Sequence, residues 1–237
     1  MDPNRLFGVG ITTPGYFVRK GVVNATEALN EWALVDLETW LSDELSCPVW
    51  LENEGNAAAI GEELFGAGQD HTSLAYLYIS QGMGGGIILN GKLWAGAHGN
   101  AGEFTGMLSQ KARKSRPTLT LLMTMLKADG IDIQSLADIT NRYDPGWTPI
   151  GKSLALTRPT FVSLLSAISA VVDPEIIIVG GRAPRGLLDA LVAGSEFFKD
   201  SRQKMERSFP PVVVSQLQQD VAAVGAAALP FKHYFFQ

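Results

Sequence analysis

The stretch from Leu74 to Gly106, LAYLYISQGMGGGIILNGKLWAGAHGNAGEFTG, constrains the fold more than any other part of the chain. Leu74 to Ile79 is a short, β-rich apolar run, as a buried strand requires. Gly82, Gly84, Gly85 and Gly86 then permit close approaches that a Cβ would block. Ile87 to Leu89 and Lys92 to Trp94 flank Asn90-Gly91, a tight-hairpin signal. Gly96, Gly99, Asn100 and Gly102 lead to Glu103, a carboxylate on a loop with little bulk around it. A glycine loop after a strand can present backbone N–H groups to a phosphate. Gly82 to Gly86 fits neither the dinucleotide fingerprint nor the P-loop, however, and a tight turn between strands explains it equally well.

The flanking segments alternate strands with helices, which specifies an α/β fold with helices covering a sheet. A strand is expected from Leu6 to Ile11, followed by a Pro14-Gly15 turn. It has no earlier partner, so the opening reads as the middle of a larger fold. Thr26 is placed to cap a helix with apolar positions at Leu29, Trp32, Ala33, Leu37, Trp40, Leu41 and Leu45. Pro48 ends that pattern before a strand from Val49 to Leu51. Glu52, Asn53 and Glu54 come next, then a helix from Asn56 to Phe65. Ligands of open α/β sheets sit outside the carboxyl ends of strands. Simple helix capping accounts for the acids as well as a site does; amide and carboxylate together are suited to hydroxyls.

Further on, Ser109 to Arg116 reads as a basic solvated loop, Pro117 starts a helix through Leu126, and 131–158 holds short helices broken at Asp144-Pro145-Gly146. A long helix is expected from Arg158 to Val172. Ile176 to Val179 is a strand running into Gly180-Gly181, either a close-packed turn or a place where a ligand lies against backbone. A helix from Pro184 to Phe198, a strand from Val212 to Val214 and a helix from Val221 to Leu229 complete the pattern.

Composition removes several function classes. With 46% apolar and 18% charged residues the chain is globular. A net charge of −5 disfavours non-specific nucleic-acid binding. Cys47 is the only cysteine, which excludes an internal disulfide and any cysteine-cluster zinc site and suits a reducing, cytoplasmic setting. No signal peptide is expected, and no apolar run long enough to span a bilayer.

In this order, GVGITTPGYF (8–17), LENEGNAAAIGEELFGAG (51–68), YISQGMGGGIILNGKLWAGAHGNAGEF (78–104), DPEIIIVGG (173–181) and DVAAVGAAALP (220–230) resemble the ROK family. This is the repressor, open-reading-frame and kinase group of the sugar kinase/actin superfamily, and HGNAGEFTGML is most similar to its sugar-responsive regulators. The resemblance implies a ribonuclease H-like/actin-like ATPase fold. Residues 1–72 would be the remainder of an incomplete first lobe, on the sugar side. Residues 73–237 would form a complete second lobe carrying the glycine loops, the nucleotide side and the dimer contact.

It also implies site roles. Gly15, Asn53, Glu54 and Glu103 would bind the sugar, Asn53 and Glu54 holding hydroxyls and Glu103 contacting the anomeric side, with Glu54 standing where family kinases have an aspartate base. Gly82, Gly84 and Gly85 would line a phosphate loop, and Gly180 and Gly181 would lie beside the adenosine. No metal site is implied. The extra methylene of Glu54 displaces the carboxylate by roughly an ångström, a shift that can cost ~10²-fold in rate. Thr105-Gly106 stands where kinases carry Gly-His, Gln81 replaces a hydroxyl residue, and the zinc cysteines are missing. The family's Asp-Gly-Gly-Thr phosphate loop and any helix-turn-helix are absent from these residues. The expected function is a sugar or sugar-phosphate effector domain of a regulator, contacting DNA only through a helix-turn-helix outside this chain and forming a homodimer. A hexose kinase using Mg-ATP is the alternative, and a non-catalytic relic with an exposed sheet edge is the third.

Overall fold

The computed structural model describes residues 6–197, 208–217 and 220–235. In chain order it contains β1 (Val9–Thr13), β2 (Tyr16–Arg19), β3 (Val22–Asn24), α1 (Leu37–Leu45), β4 (Val49–Asn53) and α2 (Glu54–Phe65). Then come β5 (Leu74–Ile79), β6 (Met83–Leu89), β7 (Lys92–Leu93), α3 (Gln110–Arg113), α4 (Leu119–Ala128) and α5 (Leu136–Arg142). The last are α6 (Thr148–Val171), β8 (Ile176–Gly181), α7 (Arg185–Ala193), β9 (Val212–Val214) and α8 (Val221–Phe235).

The larger sheet has five strands in the order β7-β6-β5-β8-β9. β5, β6 and β7 are antiparallel neighbours, while β8 and β9 run parallel to β5. Alternation along β5 splits its side chains between two cores. Ala75, Leu77 and Ile79 join Phe161, Leu164, Leu165 and Ile168 of α6. Leu74, Tyr76 and Tyr78 join the alanines of α2 and α8. A strand covered on both faces must be apolar throughout, which is why LAYLYI was legible as a strand.

The smaller sheet pairs β1 with β4 in parallel, and β2 with β3 form a separate hairpin. Among the described residues no strand pairs with the other edge of β1. The outer edge of β4 is closed instead by side chains: Val49, Leu51 and Asn53 donate their N–H groups to Ser42 Oγ (3.0 Å), Glu38 Oε1 (2.9 Å) and Glu52 Oε1 (2.8 Å).

α2 and α8 cross between the two sheets with almost no side-chain padding. A Cβ on Gly225 would lie 1.7 Å from the Ala57 carbonyl oxygen, and one on Gly10 the same distance from that of Ala226. Lys232 of α8 donates to Glu63 of α2 at 2.6 Å. Glu62, fully buried in α2, accepts hydrogen bonds from Ser215 Oγ, just past β9, and from Ala67 N.

Several sequence expectations are corrected. The first strand is shifted to Val9–Thr13. The helix expected from Thr26 is broken: Glu27–Trp32 is a 3-10 segment, Leu34 has φ +63°, and Asp36 rather than Thr26 caps α1. Backbone bonds from Leu34 N to Val23 O and Leu37 N to Gly21 O tie the break to the hairpin. α6 starts ten residues before the expected Arg158, with Pro159 inside it. Among the described residues it is also the one helix long and apolar enough to cross a membrane, contrary to the sequence reading, and its apolar face lies in the core. α7 ends at Ala193; Phe198, the expected end, lies outside the described residues. α8 continues to Phe235 through Pro230.

The glycine run is not a loop. Gly84, Gly85 and Gly86 are strand residues of β6, paired with Tyr78, Leu77 and Tyr76, and the turn lies at 80–82.

Candidate functional site

Three glycines from different elements stack at one point and build the site. A Cβ on Gly55, at the start of α2, would lie 2.5 Å from the Gly85 carbonyl oxygen, as would one on Gly102, which has φ +96°. A Cβ on Gly85 itself would meet the Tyr76 carbonyl oxygen at 2.2 Å. The backbones of α2, β6 and the 95–103 loop therefore touch directly. Each outer glycine adjoins an acid, so the stack brings Glu54 and Glu103 into one neighbourhood.

Asn53 ends β4 and holds the floor. Its Oδ1 accepts from Gly55 N at 2.7 Å, capping α2, and its Nδ2 donates to the Gly15 carbonyl at 2.7 Å. Helix capping and site building are one arrangement here. Gly15, at φ +119°, forms the turn between β1 and β2. Asn100 fastens the hairpin to the same loop as Glu103: its Oδ1 accepts from Phe17 N (2.7 Å) and its Nδ2 donates to Phe17 O (2.8 Å).

Electrostatics adds residues that no local motif indicated. Burial pushes the Glu54 carboxyl up to about 7, against the Arg182 guanidinium, with the charges of Asp220 and Glu103 raising it further. Burial also raises Glu103. The Tyr78 hydroxyl is pushed up by burial and then by Glu54 and Asp220. Arg182 and Asp220 form an ion pair at 3.7 Å. Glu52 faces away from this group: its Oε1 accepts from Asn53 N and Asn56 Nδ2, and it borders a separate cavity of about 510 Å³ with Trp50, Glu38 and His98. Burial raises its carboxyl too.

Gly180 and Gly181 line a neighbouring cavity of about 570 Å³, with Arg182, Arg185, Ser215 and Asp220. They are also required by packing, since a Cβ on Gly180 would lie 2.2 Å from the Tyr76 hydroxyl and one on Gly181 2.4 Å from the Ile79 carbonyl oxygen. Gly82 and Gly84 face open space, with nothing within 4 Å of a Cβ on either, while Gly85 packs inward. The structure thus gathers Gly15, Asn53, Glu54 and Glu103, places Gly180 and Gly181 beside them, and turns Gly85 away from solvent. Arg182, Asp220, Tyr78 and Asn100 are the residues sequence reasoning missed as site members. Arg182, directly after the glycine pair, and Asn100, in the glycine-rich run before Glu103, carried a local signal.

Comparison with known proteins follows the same lines. The model of the "ROK family" matches residues 2–116. The chain is 38% identical over 106 residues to the xylose repressor of Bacillus spizizenii, covering 45% of this chain and 27% of that protein. It is 37% identical over 188 residues to the beta-glucoside kinase of Listeria innocua, covering 73% of this chain and 64% of that one. It therefore spans less than two thirds of the length of either relative. Among solved structures, a ROK family glucokinase from Streptomyces griseus, in complex with glucose and AMPPNP, superimposes with a TM-score of 0.71 at 26% identity. That alignment covers 94% of this chain and 80% of the glucokinase. The α/β architecture with its mixed sheet is the actin-like ATPase fold, and the family that the chain is similar to, by its matched residues 2–116 and by its structural relatives, is the ROK family.

Proposed function

We propose that this chain is the sugar-binding effector portion of a ROK-family transcriptional regulator, without phosphoryl transfer of its own. The observation that carries the reading is Gly106. No atom lies within 4 Å of a Cβ built there, and this is the position at which family resemblance places the kinases' histidine. Where those enzymes hold an imidazole, this chain holds open space. Glu103 and the longer acid Glu54 keep the capacity to accept hydrogen bonds from hydroxyls. Similarity to a xylose repressor over 106 residues supports the same reading. In this reading the protein is a cytoplasmic homodimer that needs no zinc, and DNA is contacted through a helix-turn-helix outside these residues.

One observation favours the kinase reading instead. A general base works best when its pKa lies near the operating pH, and Glu54 is pushed up to about 7. Glu54 would then accept the proton of a sugar hydroxyl, as similarity to a beta-glucoside kinase suggests. The cavity at Gly180 and Gly181 is of a size that holds small ligands, and those glycines would lie against the nucleotide. Mg-ATP, when bound, supplies the phosphoryl group.

Thermal unfolding against a panel of sugars, each with and without Mg-ATP, separates the readings. A ligand at a hundred times its dissociation constant adds ~2.7 kcal/mol of stability. The effector reading expects a raised midpoint with sugar alone, indifferent to ATP. A shift that needs ATP and produces ADP overturns it in favour of the kinase. No shift with any sugar leaves a relic whose role is assembly.

A further inference from the structure

Charge is sorted along this chain as strongly as hydropathy. Residues 21–91 carry eleven aspartates and glutamates and no lysine or arginine, whereas residues 104–128 carry five lysines and arginines and no acid. Part of the acidic stretch is an uncovered surface. The 3-10 segment Glu27–Trp32 contains no buried residue. Leu34 follows at φ +63°, a conformation uncommon for any residue but glycine, and is 62% exposed. On α1, Trp40, Asp43 and Glu44 are all exposed, and their spacing of three and four residues puts them on one face. Among the described residues, the side chains of Glu27, Glu31, Asp43 and Glu44 have no ion pair or hydrogen bond. The basic run is the opposite case. Lys111, Arg113 and Lys114 are exposed, and among the described residues no carboxylate pairs with them or with Arg116. Both surfaces hang from the β2–β3 hairpin. Leu34 N and Leu37 N donate to Val23 O and Gly21 O, while Asn100 ties Phe17 to the loop that runs through Glu103 into α3.

We propose that the acidic surface over residues 27–44 receives the basic run 111–116 of a second copy of this chain, which returns the contact, so that the pair closes at two. Chemistry identifies the occupant. Trp32 and Trp40 are exposed within the acidic stretch. Indole faces beside carboxylates attract ammonium and guanidinium groups through the ring as well as through charge. Within one copy neither run meets its complement; between two copies each does. A net charge of −5 turns nucleic acid away from the basic run, but the same charge is what draws a second copy's cations to the acidic stretch. Attachment of both surfaces to one hairpin lets the contact be made twice about a two-fold axis, and an isologous contact of that kind does not propagate. The contact uses none of Gly15, Asn53, Glu54 or Glu103, so it stands apart from the sugar-binding reading. It also differs from the second-lobe dimer contact that family resemblance implies, because it joins the first lobe of one copy to the second lobe of the other.

The test is sedimentation velocity of the full chain over a concentration series, at about 0.05 M and about 0.5 M salt, with circular dichroism checking the fold of each variant. The wild-type dimer is expected to weaken by about tenfold or more at the higher salt. Lys111→Glu with Lys114→Glu should leave a monomer at concentrations where the wild type pairs, as should Glu31→Lys with Glu44→Lys. Mixing these two double variants sets opposite charges at both contacts again, so a one-to-one dimer should return. Trp40→Ala should weaken the wild-type dimer and leave its salt dependence in place. A wild type that stays monomeric at the lower salt overturns the proposal, as does a dimer indifferent to salt and to both reversals. A mixture of folded variants that does not pair overturns it, and so does growth beyond two copies. Binding of a labelled DNA duplex through Lys111 and Lys114, by a chain that does not pair, overturns it in favour of a nucleic-acid contact.

Discussion

Glu54 is the residue whose environment makes the sharpest claim. Its carboxyl titrates near 7 in the folded protein, against an ordinary value of 4.5, chiefly through burial. A raised acid favours the protonated folded state, so its full stability is present below about 4.5 and is lost as pH rises through 7. Glu54→Gln removes that titration. The variant should match the wild type in urea unfolding at pH 4.5 and exceed it by on the order of 2–3 kcal/mol at pH 8. A constant difference across that range would show that the acid is not buried as described. Asn100 makes a structural claim instead. Asn100→Ala removes both hydrogen bonds to Phe17, which should cost about 2 kcal/mol and lower the exchange protection of the β2–β3 amides before that of β5. Asn53, Glu54 and Glu103 were legible as candidates because each sits beside a glycine or a strand end. Tyr78 and Asp220 were not, because what brings them to Glu54 is the packing of β5 and α8, and sequence spacing does not encode that.

At the scale of elements, glycine carries the information and also misleads. Gly84, Gly85 and Gly86 read as a loop because glycine weakens strands, yet here Gly85 and Gly86 thin β6 so that α2 can rest on it. The same device sets the crossing of α2 and α8. Gly225→Ala places a methyl 1.7 Å from a carbonyl oxygen and should cost about 3 kcal/mol or more, seen as a lowered urea midpoint and reduced yield. Gly151→Ala, on an exposed turn of α6 with nothing within 4 Å, should gain about 0.5–1 kcal/mol. Helix boundaries failed where tertiary contacts override local signals. The apolar spacing from Leu29 to Leu45 continues through the break at Leu34, which only the hairpin's hydrogen bonds impose. Arg158-Pro159 reads as a boundary, but burial of residues on both sides of it, Ile150 and Phe161 among them, holds α6 together.

For the whole molecule, the α/β class and nearly every strand of the larger sheet followed from pattern, because strands covered on both faces must be apolar runs. The two edges of the smaller sheet were not legible, since Ser42 and Glu38 reach β4 from a neighbouring helix. Their difference sets a stopping rule for self-association. A second chain can add a strand to β1, where no described strand is bonded, but the outer N–H groups of β4 are already occupied. Any edge pairing through this sheet would therefore be terminating, because among the described residues β4 offers no second open edge. Replacing Glu38 and Ser42 together with alanine frees two of those donors. Sedimentation velocity of that variant should show species larger than any the wild type forms, and their growth should rise with concentration without reaching a limit. Ser42 and Glu38, two side chains of α1, are what keep the outer edge of β4 from taking up another strand.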